Sequence, residues 1–205
     1  EIAQCLVGSE MCIRDRKDGN IRAVENEILS SKICRCFDCR QVLYEESMFD
    51  GQKVSKSRII TSVDYSMVSM EAFEIYAANH DIHVMDFVLK LDAYSYYMMN
   101  LLDYLTGNTD RHWGNWGFLV DNRTNQPVRL FDLMDLNQTF LAYDTPDGAN
   151  CMTTGNRKMS QREAAVEAVK KIGLNQRAEI KDEWFEGREK EREMFWCRFG
   201  ILKEQ

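Results

Sequence analysis

Residues 106–119 read Thr-Gly-Asn-Thr-Asp-Arg-His-Trp-Gly-Asn-Trp-Gly-Phe-Leu. Asp110, His112 and Asn115 fall within six residues of one another, after a long apolar stretch and before a run with strand character. Packing requires none of these three side chains. Asp and Asn serve turns, but polar residues and glycines this dense, beside two tryptophans, mark a loop built for a task.

Working outward, the flanks are regular. From Val84 to Leu105, the residues Phe87, Leu91, Tyr94, Met98, Leu101, Leu102 and Leu105 step by three or four. Apolar residues occupy most other faces as well, which predicts a largely buried helix. Gly107 stops it in the manner of a helix C-terminus. Downstream, Trp116 to Val120 reads as a strand, residues 121–125 as a turn, and Val128 to Phe131 as the return strand, with Asp132 at its end.

The rest of the chain supports a helical body. Residues 21–35 have helical spacing, and Val42 to Glu45 and Lys53 to Ile60 read as strands about a turn at Phe49-Asp50-Gly51. Ser69 caps a helix running to Asn79, and Ser160-Gln161-Arg162-Glu163 is a capping box opening one that ends near Gly173. Residues 144–157 form a loop, and the alternating charges from Arg177 to Glu193 predict a solvated helix. The expected class is α+β, mostly α.

Composition narrows the function classes. The 205 residues are 44% hydrophobic and 29% charged, which is ordinary globular usage. A net charge of −7 argues against direct nucleic-acid binding and against an anionic membrane surface. No apolar run approaches the roughly 18 residues of a membrane span, and no basic-then-apolar leader is present. Seven irregularly spaced cysteines read as reduced thiols, which predicts a cytoplasmic protein. The cluster Cys34, Cys36 and Cys39 lacks the second ligand pair of a zinc site, and His80 and His83 read as loop residues. Residues 5–16 look like translated sequencing-adapter read-through, so residues 1–16 are expected to be non-native and the natural chain to continue further upstream.

Asp110 and Asn115 lie in a loop fixed at both ends, where the Asn can fold back and set its side-chain oxygen beside the Asp110 carboxylate. Asp132 follows across a hairpin that returns the chain to the same end. Two carboxylates and an amide oxygen are hard ligands suited to Mg²⁺. Phosphoryl transfer needs such a set: one carboxylate for the acceptor hydroxyl, with an Asn and a second Asp for the metal. Protein kinases space the catalytic Asp and metal-binding Asn four residues apart, with the metal-binding Asp beyond the next hairpin. Asp135 is the alternative to Asp132, which follows the strand directly.

The stretch Asn108-Thr-Asp-Arg-His-Trp-Gly-Asn-Trp-Gly117 resembles the Asn-x-Asp-Arg-His-x-x-Asn-x-Gly catalytic loop of HipA-like serine/threonine kinases. Leu130-Phe131-Asp132 is similar to their metal-binding strand end, and Val24-Glu25-Asn26-Glu27 resembles an Asn-Glu helix of that family. The resemblance implies a kinase-like C-terminal lobe at 61–205, with 17–60 a remnant of the small lobe and hinge. It implies Asp110 as base and His112 as a loop brace, with Asn115 and Asp132 holding Mg²⁺. Ser57, Arg58 and Ile59 would lie near adenine, and ATP and Mg²⁺ would be the cofactors. The family's phosphate-gripping loop and ATP-anchoring Lys find no match, so the small lobe is expected to be truncated and this fragment weak or inactive. The substrate would be a protein Ser or Thr hydroxyl, and a DNA-binding antitoxin a possible partner. Two alternatives stand beside this: a non-catalytic, partner-binding kinase lobe, and a lipid or small-molecule kinase.

Overall fold

The computed structural model describes residues 4–5, 11–14 and 21–205. The remainder of the adapter-like segment lies outside the described residues. Among the described residues, β1 (Gln4–Cys5) and β2 (Met11–Arg14) are short strands. They join β3 (Tyr44–Phe49) and β4 (Gln52–Arg58) in an antiparallel sheet of order β1-β2-β4-β3. The β3–β4 turn falls at Asp50-Gly51, both with positive φ, as a tight hairpin requires.

Helix α1 (Ile21–Cys34) packs on β3 and β4. Val24, Ile28, Leu29 and Ile33 recur at the helical interval and are buried. Its polar face is buried too, because it meets the body of the protein. Asn26 Nδ2 donates to the Thr139 carbonyl, and the Ser30 and Thr139 hydroxyls lie 2.7 Å apart.

A second antiparallel sheet, order β5-β6-β7, links the first sheet to the helices: β5 (Tyr65–Ser69), β6 (Gly117–Asp121) and β7 (Gln126–Leu130). Strand β5 has no counterpart among the sequence expectations. Its pairing with β6 depends on Gly117, since a Cβ there would sit 2.1 Å from the Val68 carbonyl oxygen. Ser69 then caps α2 (Met70–Asn79) as expected, accepting the Ala72 N–H at 3.2 Å.

The long helix α3 (Val84–Thr106) departs from its reading in one respect. Asp92 has non-helical dihedrals (φ −155°, ψ 65°), and apart from Val88 the helix is buried only from Tyr96 onward. Gly107 ends the helix in the left-handed region at φ 63°. Helix α4 (Gln161–Ile172) opens on the expected capping box and lies along α3.

The C-terminal reading is corrected. Gly187, at φ 72°, breaks the charged stretch, and α5 runs Glu189–Lys203. It is not a solvated helix: Phe195, Phe199 and Leu202, spaced by four and three, are buried in the main core, where Phe185 stacks near Phe195. Among the described residues no helix is long and apolar enough to cross a membrane.

Candidate active site

The loop between α3 and β6 is built on hydrogen bonds that its own sequence supplies. The Asn108 side-chain oxygen accepts the Asp110 N–H at 3.1 Å, an Asx turn that fixes the backbone of the candidate base. Asn115 folds back onto Asp110, but it turns its side-chain nitrogen rather than its oxygen toward it, because the Asp110 carbonyl and carboxylate can only accept. Its Nδ2 donates to the Asp110 carbonyl at 2.7 Å and lies 3.4 Å from the carboxylate. With Nδ2 so committed, Oδ1 points the other way and is the atom left for a cation.

His112 is exposed, and its Nδ1 accepts the Gly114 N–H at 3.0 Å. That makes it a brace of the turn. Trp113 Nε1 donates to the Met152 carbonyl at 3.1 Å, so the 3-10 turn at Met152–Thr154 is pinned against the loop.

The charge that organises the loop lies behind it. Arg111 is only 3% exposed, and its Nε and Nη2 reach both oxygens of Asp103 at 2.8 and 2.9 Å. Its Nη1 donates to the carbonyls of Asn115 (2.8 Å) and Met134 (2.6 Å). Burial works against the guanidinium charge, but the Asp103 carboxylate outweighs it and holds the Arg111 pKa above its ordinary value. Asp103 escaped the sequence reading. A signal was present: Asn100 and Asp103 interrupt an otherwise apolar run on a helix with no polar face.

Two acids follow β7. Asp132 pairs with Arg129 and lines a cleft between α3 and the end of β7, with Asn115, Arg40, Ser95 and Trp116. Asp135 is buried, in the left-handed region at φ 58°, and its N–H meets the Tyr44 hydroxyl at 3.3 Å. Tyr44 begins β3, so Asp135 stands where the first sheet meets the helical body. Ser57 and Arg58 end β4, the first buried and the second exposed, and Ile59 opens the connection to β5.

Among the described residues no group of three or more His, Cys, Asp or Glu side chains could hold a metal ion. Cys34, Cys36 and Cys39 are free thiols, the first two buried. Burial pushes the Cys39 thiol up to about 12 and raises that of Cys34 as well. Magnesium makes a different demand, one or two carboxylates completed by phosphate and water. Asn115 with one acid after β7 fits it.

No family model and no curated protein sequence matches the chain. Among solved structures it is similar to CtkA, a proinflammatory kinase of Helicobacter pylori, with a TM-score of 0.71 and 12% identity. The match covers 95% of this chain and 85% of that one. The chain has a kinase-like fold. At this identity the likeness speaks for the architecture alone, and within that fold the Asp110–Asn115 loop follows α3 and precedes the β6–β7 hairpin.

Proposed function

We propose that the protein is a phosphotransferase that moves the γ-phosphoryl group of Mg²⁺-ATP to a hydroxyl. The observation that carries this is the Asn115–Asp110 hydrogen bond, set in a kinase-like fold at the end of α3. Asp110 accepts the proton of the attacking hydroxyl as its oxygen bonds to phosphorus and ADP departs. Asn115 Oδ1 and one acid after β7 would hold the cation. Bound Mg²⁺ supplies neutralisation of the β- and γ-phosphate charge.

Either acid can complete the pair. Asp132 shares a cleft with Asn115 and pairs with Arg129. Asp135 sits at the junction of sheet and helical body, in a backbone conformation that costs a non-glycine residue about 1 kcal/mol. The carbonyl just before it is held by the same guanidinium that holds Asn115. We take Asp135 as the better placed and Asp132 as the alternative. The HipA-like resemblance makes a protein Ser or Thr the substrate, ATP enters against Ser57, Arg58 and Ile59, and the setting is cytoplasmic.

Calorimetry of ATP binding with and without Mg²⁺, on the wild type and on Asp132→Ala and Asp135→Ala, tests the reading. Loss of the metal dependence in Asp135→Ala alone supports the assignment, and loss in Asp132→Ala alone moves it to the other acid. A wild-type chain that binds ATP neither with nor without Mg²⁺ overturns the proposal in favour of a partner-binding kinase lobe.

A further inference from the structure

We propose that Asp103, buried on α3 behind the loop, is the positioning residue for the whole site. This rests on the phosphotransfer reading. One carboxylate serves two arms. Its Oδ1 accepts from Asn108 Nδ2 at 3.0 Å, and Asn108 in turn fixes the Asp110 N–H. Both its oxygens also accept from Arg111, whose remaining nitrogen holds the Asn115 and Met134 carbonyls. The first arm therefore sets the base. The second sets the separation between Asn115 and Asp135, two candidate metal ligands that lie twenty residues apart in sequence but hang from one guanidinium.

The arrangement is rigid for a physical reason. The Asp103 and Arg111 side chains are 6% and 4% exposed, so neither charge can turn to water if the pair opens. The planar fork of Arg111 fixes the directions of its bonds. An arginine engaged in this way is also closed to an incoming phosphate, so the loop geometry is set by the chain's own carboxylate.

The two arms give the test a signature that a purely structural pair would not show. Asn108→Ala cuts the first arm and leaves the ion pair. Arg111→Lys keeps the charge but loses the fork. With ATP and a generic Ser/Thr protein substrate, Asn108→Ala should lower turnover about tenfold, with the Mg²⁺ half-saturation changing less than about twofold. Arg111→Lys should raise the Mg²⁺ half-saturation about tenfold or more. Amide hydrogen exchange on the same variants needs no nucleotide. Faster exchange should be confined to Asp110 in the first, and to Asn115 and Asp135 in the second. Equal changes in both kinetic quantities, or exchange that rises uniformly with lost stability, would overturn the proposal. A wild type without Mg²⁺-ATP binding removes the phosphotransfer reading, while the exchange pattern still decides whether Asp103 positions the loop through two arms.

Discussion

The two halves of α3 carry one buried or half-buried acid each, and they use it differently. Asp92, in the first half, interrupts the helix. Its Oδ1 accepts the Ser95 N–H at 3.2 Å and so caps the second half, while Oδ2 accepts from Leu130 N and from Arg40. Asp103, in the second half, leaves the helix unbroken and spends every bond on the loop that follows. The first acid fixes where the helix lies against β7. The second fixes what the helix presents at its end. Water decides the difference in strength: the Arg40 partner of Asp92 is half exposed, whereas the Arg111 partner of Asp103 is not.

The strongest way to break the comparison is Asp103→Ala. It strands Arg111 without a counter-ion in the interior, which should cost about 3–5 kcal/mol in chemical denaturation. A loss below about 1.5 kcal/mol would mean that water reaches the guanidinium, and the contrast between the two acids would disappear.

Asp92→Ala should cost less. It removes an N-cap and the acceptor for Leu130 N, together worth about 1–2 kcal/mol, and leaves an exposed arginine that water can solvate. The same variant should leave the amide exchange of Asp110 and Asn115 unchanged, because none of the Asp92 bonds reaches the loop. Acceleration there would show that the two halves act as one unit.

How much of this was legible in the sequence follows from the distances over which residues act. The loop could be read because its bonds are local: Asn108 to Asp110, Asp110 to Asn115. The caps at Ser69 and Ser160 could be read for the same reason. Asp103 is marked in the sequence only as an acid within an apolar run, and its role takes shape only when Arg111, eight residues on, is folded back beneath it. Strand β5 was hidden because it presents exposed and half-buried residues and depends on Gly117, forty-eight residues beyond Ser69, to let β6 approach. The break at Asp92 was masked by an uninterrupted apolar period on both sides of it. The tail was misread because the charges before Gly187 drew the helix too early and obscured Phe195, Phe199 and Leu202. Between Asp132 and Asp135 the sequence favours Asp132 only because it follows the strand directly, and the contacts of Asp132 with Arg129 and of Asp135 with Tyr44 are both non-obvious from spacing alone.

The mildest variant sharpens the comparison most. Arg40→Ala removes the Asp92 partner while leaving the cap to Ser95 and the bond from Leu130 in place. Arg40 also donates to the Ser95 hydroxyl at 2.6 Å, but its side chain is 50% exposed, so solvent replaces most of what is lost. The expected cost is at most about 1 kcal/mol in urea denaturation. If it equals that of Asp92→Ala, the first half of α3 depends on its ion pair after all, as the second half does. If it is near zero, the value of Asp92 lies in the two backbone N–H groups it satisfies, and the two acids are related only by sharing a helix. The expected small cost is what geometry demands: a carboxylate that accepts two backbone N–H groups keeps its place without a counter-ion, whereas one whose main partner is a buried guanidinium does not.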